Sequence, residues 1–291
     1  MTSTLPRYRA SGRTSPRFLL TAVAAGAAAI GLGWAYQALT GAGYLALNAL
    51  LYILFAIGVA AAVVTAGRLG RNRNRALGAL VGLAIGGAAL MSAYAFDHRA
   101  MATEVATAAP TSAGVGRDGQ PALTFGQFVD RRVAAGWTFG KRDPGERGTL
   151  TGGWVWLAWT LEAVGVLALA LGFGVAFGPF CETCRRWIPA GPLLVRPDVD
   201  AATVAAVAAA TTPAALFPPA SPPGAPAGPV SLVYTAHRCP TCASDAYVTI
   251  IERRVTPPTR PSGDPTTSSQ PLHVQVAVPR ALLPSPTAPP R

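Results

Sequence analysis

Two long stretches without a charged residue constrain this chain more than any other feature of its sequence. They cover residues 18–67 and residues 76–96. A helix needs about 20 apolar residues to cross the roughly 30 Å hydrocarbon core of a bilayer. The first stretch is therefore long enough for two membrane spans, and the second is long enough for one. Charged residues make up only 13% of the chain, against about a quarter in soluble domains, which also favours a membrane protein.

The predicted fold class is an all-α membrane bundle of four transmembrane helices, followed by a small cytoplasmic β module and a disordered C-terminal tail. The four spans are predicted at residues 18–39, 44–66, 76–96 and 153–178. A basic leader precedes the first span, as in a signal peptide, but the apolar run exceeds the usual length of about 7–15 residues. Another span follows almost directly, so we interpret the first span as a retained helix.

Arginine residues cluster in the short segments that would lie on one side of these spans. The leader, residues 1–17, has four arginines, and the loop of residues 68–75 has four more and no acid. Short arginine-rich segments stay on the cytoplasmic side. We therefore expect a protein of the plasma (inner) membrane with both termini in the cytoplasm and residues 97–152 as an external loop. This bias accounts for the net charge of +11, so nucleic acid is not the expected partner.

The external loop contains one helix signal, at residues 124–135. Thr124 and Gln127 have the spacing of a capping box, and Gly136 is expected to end the helix. Apolar side chains at helical spacing give the segment one apolar face. We interpret it as an amphipathic helix on the membrane surface, with a lid over a ligand as the alternative.

All four cysteines of the chain occur in two Cys-x-x-Cys pairs after the fourth span. They are Cys181, Cys184, Cys239 and Cys242. Each such turn directs two sulfurs toward one point, and two turns supply the four thiolates of a tetrahedral structural zinc site. The spacer, residues 185–238, is longer than the usual 15–20 or so, and we explain its length by an Ala/Pro-rich insertion at residues 190–229. Within the insertion, the alanine run after Asp198 predicts a helix at residues 198–210.

The predicted zinc-ribbon-like module covers residues 179–255. A Pro-rich tail covers residues 256–291 and is expected to be mostly disordered, although residues 273–278 could pair as an edge strand. A redox pair or a disulfide is the rival interpretation of the cysteines, and His237 could replace one thiolate ligand. A thioredoxin-like pair sits at a helix start in an alternating strand–helix pattern, which this sequence lacks. Disulfides are not expected in the cytoplasm.

Glu162 is the only ionisable residue inside a predicted span. A carboxylate at this depth is costly and is a functional candidate by default. Two roles are open: handling an ion or proton, or packing against a polar partner, for which His98 and Arg99 are the candidates. The other polar groups in the spans, Gln37 and Asn48, are explained by hydrogen bonds between helices.

The third span has a glycine at every fourth position, at Gly78, Gly82 and Gly86. Small residues at this spacing let two helices approach closely. The stripe predicts either packing within the bundle or a homo-oligomer.

A longer motif connects the external loop to the first cysteine pair. A Phe-led amphipathic helix precedes Gly-Gly-x-x-Trp-x-x-Trp-x-x-Glu, and Pro-Phe-Cys-Glu-x-Cys-x-x-Trp follows the last span. The residues that carry it are Gly152, Gly153, Trp156, Trp159, Glu162, Pro179, Phe180, Cys181, Glu182, Cys184 and Trp187. In this motif the chain resembles a group of uncharacterised bacterial multi-pass membrane proteins with a C-terminal zinc-ribbon-like module. The resemblance implies an architecture and no activity.

The sequence contains no phosphate-binding loop, serine-hydrolase elbow or zinc-protease motif, so an enzyme is not favoured. We expect an integral membrane protein whose cytoplasmic structural-zinc module docks a protein partner or regulates one. One alternative is a small proton-coupled transporter, or a component of a membrane complex, that uses Glu162. The other is a membrane-tethered zinc ribbon that binds nucleic acid.

Overall fold

The computed structural model describes residues 5–40, 45–108, 123–139, 148–176, 178–219, 230–242, 246–256 and 266–284. The chain divides into two compact units. Ser11–Phe177 form a helical unit, and Met1–Ala10 join Gly178–Arg291 in a sheet unit. Residues 109–122 of the predicted external loop and residues 220–229 of the predicted insertion lie outside the described residues.

The described part of the helical unit contains five helices. They are α1 (Arg17–Thr40), α2 (Leu45–Leu69), α3 (Arg75–Ala108), α4 (Phe125–Ala135) and α5 (Gly153–Val175). All but α4 are long and apolar enough to cross a membrane, which confirms the four predicted candidates by length and composition. The third helix is longer than predicted, because it continues past residue 96 through polar residues to Ala108.

The four long helices bury mainly alanine and valine side chains, and many of their large apolar side chains are exposed. Ala29, Val59 and Ala89 are fully buried, whereas Leu20 is 73% exposed and Leu161 is 62% exposed. A soluble bundle would do the reverse, because water drives its largest apolar groups inward. An apolar exterior over a close-packed interior of small residues suits a bundle surrounded by lipid.

The glycine stripe of α3 packs against α5 of the same chain. A Cβ placed on Gly78 would lie 2.1 Å from the backbone oxygen of Gly174. One placed on Gly82 would lie 2.4 Å from the backbone oxygen of Ala170, and one on Gly86 would lie 3.2 Å from the Ala170 Cβ. Within this chain, the glycine stripe therefore packs against α5, which is the first of the two roles predicted for it.

Helix α4 begins and ends as predicted. Thr124 and Gln127 form both hydrogen bonds of the capping box, and the chain turns at Gly136, where φ is +69°. A Cβ at Gly136 would lie 2.4 Å from the Leu150 backbone oxygen, so glycine is required there. The helix is followed by a short antiparallel hairpin of β1 (Trp137–Phe139) and β2 (Gly148–Leu150).

The sheet unit contains two antiparallel sheets among its described residues. The small one pairs β3 (Phe180–Cys181) with β4 (Arg186–Trp187). The large one has the order β5 (Ala190–Val199), β6 (Val230–His237), β7 (Ala246–Thr256) and β8 (Thr266–Val278), and α6 (Ala201–Ala208) follows β5. Strand β6 alternates buried and half-buried residues, so one face of the sheet lies in the core.

Two sequence expectations about this unit need correction. The predicted insertion at residues 190–229 begins with β5, an edge strand of the main sheet, and only its helical part was foreseen. The tail predicted as mostly disordered from residue 256 contains the 13-residue strand β8, of which only residues 273–278 are predicted to be able to pair as an edge strand. Both strands are held by pairing with neighbours: β5 pairs with β6, and β8 pairs with β7.

The N-terminal leader also takes part in the sheet unit. Arg7 forms an antiparallel bridge with Val276 on the outer side of β8. The Ala277 N–H donates to the Pro6 carbonyl at 2.7 Å, and the Tyr8 N–H donates to the Gln275 carbonyl at 2.8 Å. Residues 6–8 of the leader thus cover part of the β8 edge.

Candidate metal centre and intramembrane cavity

The first cysteine pair lies in the tight turn between β3 and β4. The Cys184 N–H points to the Cys181 Sγ at 3.4 Å, and Arg185 adopts a left-handed conformation with φ +51°. Phe180 and Trp187 stack edge to face across the hairpin, with ring centroids 5.1 Å apart. The Ile188 N–H donates to the Pro179 carbonyl at 2.9 Å, which closes the base of the turn.

The second cysteine pair follows β6 directly. Cys239 is 1% exposed, and its Sγ lies 3.7 Å from the Thr241 hydroxyl. The Arg280 guanidinium donates to the Cys242 carbonyl at 3.0 Å, so a residue just after β8 holds this turn in place. A residue that follows β8 therefore helps to position a predicted ligand.

The structure brings all four predicted ligands together. Their Sγ atoms lie within 4.8 Å of one another, and the Sγ atoms of Cys181 and Cys242 are 3.5 Å apart. A disulfide would need about 2.05 Å, and none of the four cysteines forms one. In a tetrahedral zinc site with Zn–S bonds of about 2.3 Å, sulfurs lie about 3.8 Å apart. The cluster fits that requirement.

The electrostatics of the cluster fit a set of metal ligands. The backbone N–H of Thr241 lowers the pKa of the Cys239 thiol to about 6. A hydrogen bond to Thr241 acts in the same direction on Cys184, but hydrogen bonds with Cys242 and the other thiols raise the pKa of Cys184 to about 12. Four thiolates this close repel one another unless a cation lies among them, so metal binding would release protons.

His237 does not join this cluster, which consists of cysteines alone. Its side chain lies on β6, where burial lowers the pKa of the imidazole despite a backbone hydrogen bond at Ile188. Its Nδ1 is buried and accepts no hydrogen bond from the described residues. The arrangement favours four thiolates over a set of three thiolates and one imidazole.

Glu162 lies inside the helical unit and is 8% exposed. The Tyr36 hydroxyl donates a hydrogen bond to its carboxylate. The Tyr52 hydroxyl lies 3.4 Å from its backbone oxygen. Gly165 leaves room for that contact, because a Cβ there would overlap the Tyr52 hydroxyl.

The polar partners expected for Glu162 are wrong. His98 Nε2 lies 2.8 Å from the Leu123 carbonyl, and its ring packs against Phe128 with centroids 5.4 Å apart. Arg99 lines a different, smaller cavity. Both residues lie on α3, beyond the predicted end of the span at residue 96. Their side chains contact other groups and not Glu162.

A cavity of about 690 Å³ opens beside Glu162. Its lining comes from the end of α1, the start of α2, the second half of α3 and the first half of α5, which meet at one end of the bundle, together with Arg132 of α4 and Gly136. The residues that matter for its chemistry are Glu162, Tyr36, Tyr52, Tyr94, Trp159 and Asn48. Sequence reasoning assigned Asn48 to an inter-helix hydrogen bond, whereas its Oδ1 is buried without a partner among the described residues.

The rim of the cavity contains an ion pair that the sequence did not reveal. The Arg132 guanidinium on α4 donates to both carboxylate oxygens of Asp97 on α3, at 2.8 and 2.5 Å. Arg132 was expected only as part of the α4 face, and Asp97 as the first residue of the loop. Their 35-residue separation gives no local signal for the pairing.

Comparisons with known proteins add no identity to these observations, because no protein family, curated protein or solved structure matches the chain. The resemblance to bacterial multi-pass proteins therefore stays a prediction. The four candidate spans and the four-cysteine cluster stand on the structure itself.

Proposed function

We propose that this chain is a plasma-membrane protein that uses a structural zinc module to dock a cytoplasmic protein. The observation that carries the proposal is the convergence of four cysteine sulfurs on one point, with no other metal-ligating side chain joining them among the described residues. A zinc ion held by four thiolates has no open position for water or substrate, so it stabilises a fold and does not catalyse.

The module has the construction of a rigid platform. Its core contains Leu232, Tyr234 and Ile250, all fully buried on the inner face of the sheet. The Tyr234 hydroxyl donates to the Leu216 carbonyl at 3.1 Å, which holds the segment after α6 against that face. Zinc would fix the two cysteine turns at the end of this sheet, where the hydrophobic core of the turns is small.

The cytoplasmic location rests on two independent observations. Short arginine-rich segments lie at residues 1–17 and 68–75, as expected for the cytoplasmic side. Residues Pro6 to Tyr8 pair with β8, so the leader and the module share one side. Four candidate spans separate the leader from the module in the sequence, and this even number also predicts that the two lie on one side of the membrane.

Metal analysis of the full-length protein in detergent tests the zinc part of the proposal. We expect one zinc per chain, with the four thiols protected from a thiol reagent until a chelator is added. Cys181→Ser and Cys239→Ser should lose the zinc, and the matched control His237→Ala should keep it. Metal-free protein with four freely reactive thiols would overturn the zinc assignment.

Photo-crosslinking in cells tests the docking part separately. A photoreactive residue at Val195, which is 54% exposed on β5, samples the surface of the module. We expect a discrete crosslinked species in the wild type, its loss in Cys239→Ser, and its retention in His237→Ala. A zinc-loaded protein without such a species, or one unaffected by Cys239→Ser, would refute docking through the zinc module.

A further inference from the structure

The cavity beside Glu162 plays no part in the zinc module and needs its own explanation. Its volume of about 690 Å³ falls within the range of roughly 300–1,000 Å³ that is typical of small-molecule sites. Its lining includes the buried Glu162 carboxylate and five aromatic side chains. Small-molecule sites share this composition: apolar and aromatic walls with a few polar groups that fix orientation.

The charge around the cavity selects the sign of its ligand. Three carboxylates and one guanidinium are found among the described lining residues. The guanidinium belongs to Arg132, which already donates to both carboxylate oxygens of Asp97. Glu162 has hydrogen bonds from tyrosine but no cation beside it among the described ion pairs. An anionic ligand would meet the Glu162 carboxylate without a counter-charge, whereas a cation would be paired with it.

The walls select an organic cation over a metal ion. Tyr36, Tyr52, Tyr94 and Trp159 all line the cavity, and the faces of such rings attract ammonium groups. Ca²⁺ and Mg²⁺ require six or more oxygen ligands, and a bare ion would leave most of the volume unfilled. Two carboxylates among the described lining residues are buried, Glu162 and Asp97, and Asp97 already accepts hydrogen bonds from Arg132.

Asn48 adds a preference for an ammonium that still carries hydrogens. Its Oδ1 is buried and accepts no hydrogen bond from the described residues. A buried acceptor gains from an N–H donor, because leaving it unsatisfied costs free energy. A protonated amine can donate one hydrogen to Glu162 and another to Asn48, while its apolar part contacts the rings.

We propose that the cavity enclosed by α1, α2, α3 and α5 is a binding site for a protonated organic amine, with Glu162 as its counter-ion. Tyr36 orients the Glu162 carboxylate, and Tyr94 and Trp159 supply ring faces; these two rings pack edge to face with centroids 5.9 Å apart. The site lies in the helical unit, so it does not depend on the metal centre.

Equilibrium dialysis of the full-length protein in nanodiscs of zwitterionic lipid tests this site. The probe is tritiated 2-phenylethylammonium, empty discs give the background, and n-propylbenzene serves as a neutral competitor of the same shape. We expect one saturable site per chain that n-propylbenzene does not displace. Absence of saturable binding, or displacement by n-propylbenzene at equal concentration, would overturn the proposal.

Two pairs of variants locate the binding energy. Glu162→Gln should weaken binding at least tenfold, whereas Asp130→Asn, which removes an exposed carboxylate on α4 outside the lining, should leave it within twofold. Tyr94→Leu should weaken binding about tenfold, whereas Tyr94→Phe, which keeps the ring face, should not. Equal affinities within either pair would refute the proposed amine site. If Glu162→Gln does not fold, the comparison of Tyr94→Leu with Tyr94→Phe tests the proposal by itself.

Discussion

The contact between α3 and α5 makes the sharpest stability prediction, because two glycines of one helix differ only in what faces them. A Cβ on Gly82 would lie 2.4 Å from the Ala170 backbone oxygen, whereas a Cβ on Gly87 would meet nothing within 4 Å. Ordinary contact begins at 3.4 Å, so Gly82→Ala forces the two helices apart locally by about 1 Å (3.4 − 2.4). Gly87→Ala forces nothing.

The magnitude follows from two opposing effects. Replacing glycine by alanine within a helix favours the helix by about 0.5–1 kcal/mol, and this gain is common to both variants. Overpacking costs about 1–3 kcal/mol, and it applies only at Gly82. The free energies of unfolding should therefore differ by about 1–3 kcal/mol, with Gly82→Ala the less stable.

Unfolding in mixed micelles with increasing SDS, followed by tryptophan fluorescence, measures this difference. The helices stay helical in SDS, so the transition reports their packing. Equal midpoints for the two variants would show that α3 and α5 do not meet at Gly82. A Gly82→Ala variant of unchanged stability but altered oligomeric state would assign the glycine stripe to an interface between copies of the chain.

Two further predictions concern local structure. Arg185 is exposed and has φ +51°, a conformation that costs non-glycine residues about 1–2 kcal/mol. Arg185→Gly should therefore stabilise the first cysteine turn by up to about that amount and slow zinc loss to a chelator, and faster zinc loss would contradict this. Asp97→Asn removes the charge that Arg132 contacts, so it should destabilise the packing of α4 against α3 by about 1–3 kcal/mol. Hydrogen exchange should become faster at residues 125–135 and stay the same in α5; unchanged exchange in α4 would show that the ion pair does not hold this helix.

The features that the sequence predicted correctly are those with a local signature. The spans follow from hydropathy over about 20 residues, and the cap of α4 follows from Thr124 and Gln127, three residues apart. The cysteine cluster follows from two short turns, although its closure across 54 intervening residues was an inference about tertiary structure.

Strand β5 and the first half of β8 lack such a local signature. Strand β5 contains Pro192 and Pro197, and proline normally argues against a strand. Here β5 is an edge strand, and register shifts occur at both places, between Pro192 and Leu194 and between Arg196 and Val199. The first half of β8 is exposed and polar, so it lacks the alternation that marks a half-buried strand.

No local feature of the sequence predicts the cavity. Tyr36, Tyr52 and Tyr94 come from three different helices, and none of them stands out within its own apolar span. Only the packing of α1, α2 and α3 brings them to Glu162. The sequence indicated the one costly carboxylate, and the structure supplied its surroundings.

Pairing of the leader with β8 has a consequence for how the chain matures. Residues Pro6 to Tyr8 precede all four candidate spans in the sequence and β8 follows them, so this pairing forms only after all four have been translated. Contacts between such distant segments form late, because the entropy of closing a long loop opposes them. The finished sheet thus joins a segment before the four candidate spans to one after them, and a chain truncated before β8 would leave Pro6 to Tyr8 without a partner strand.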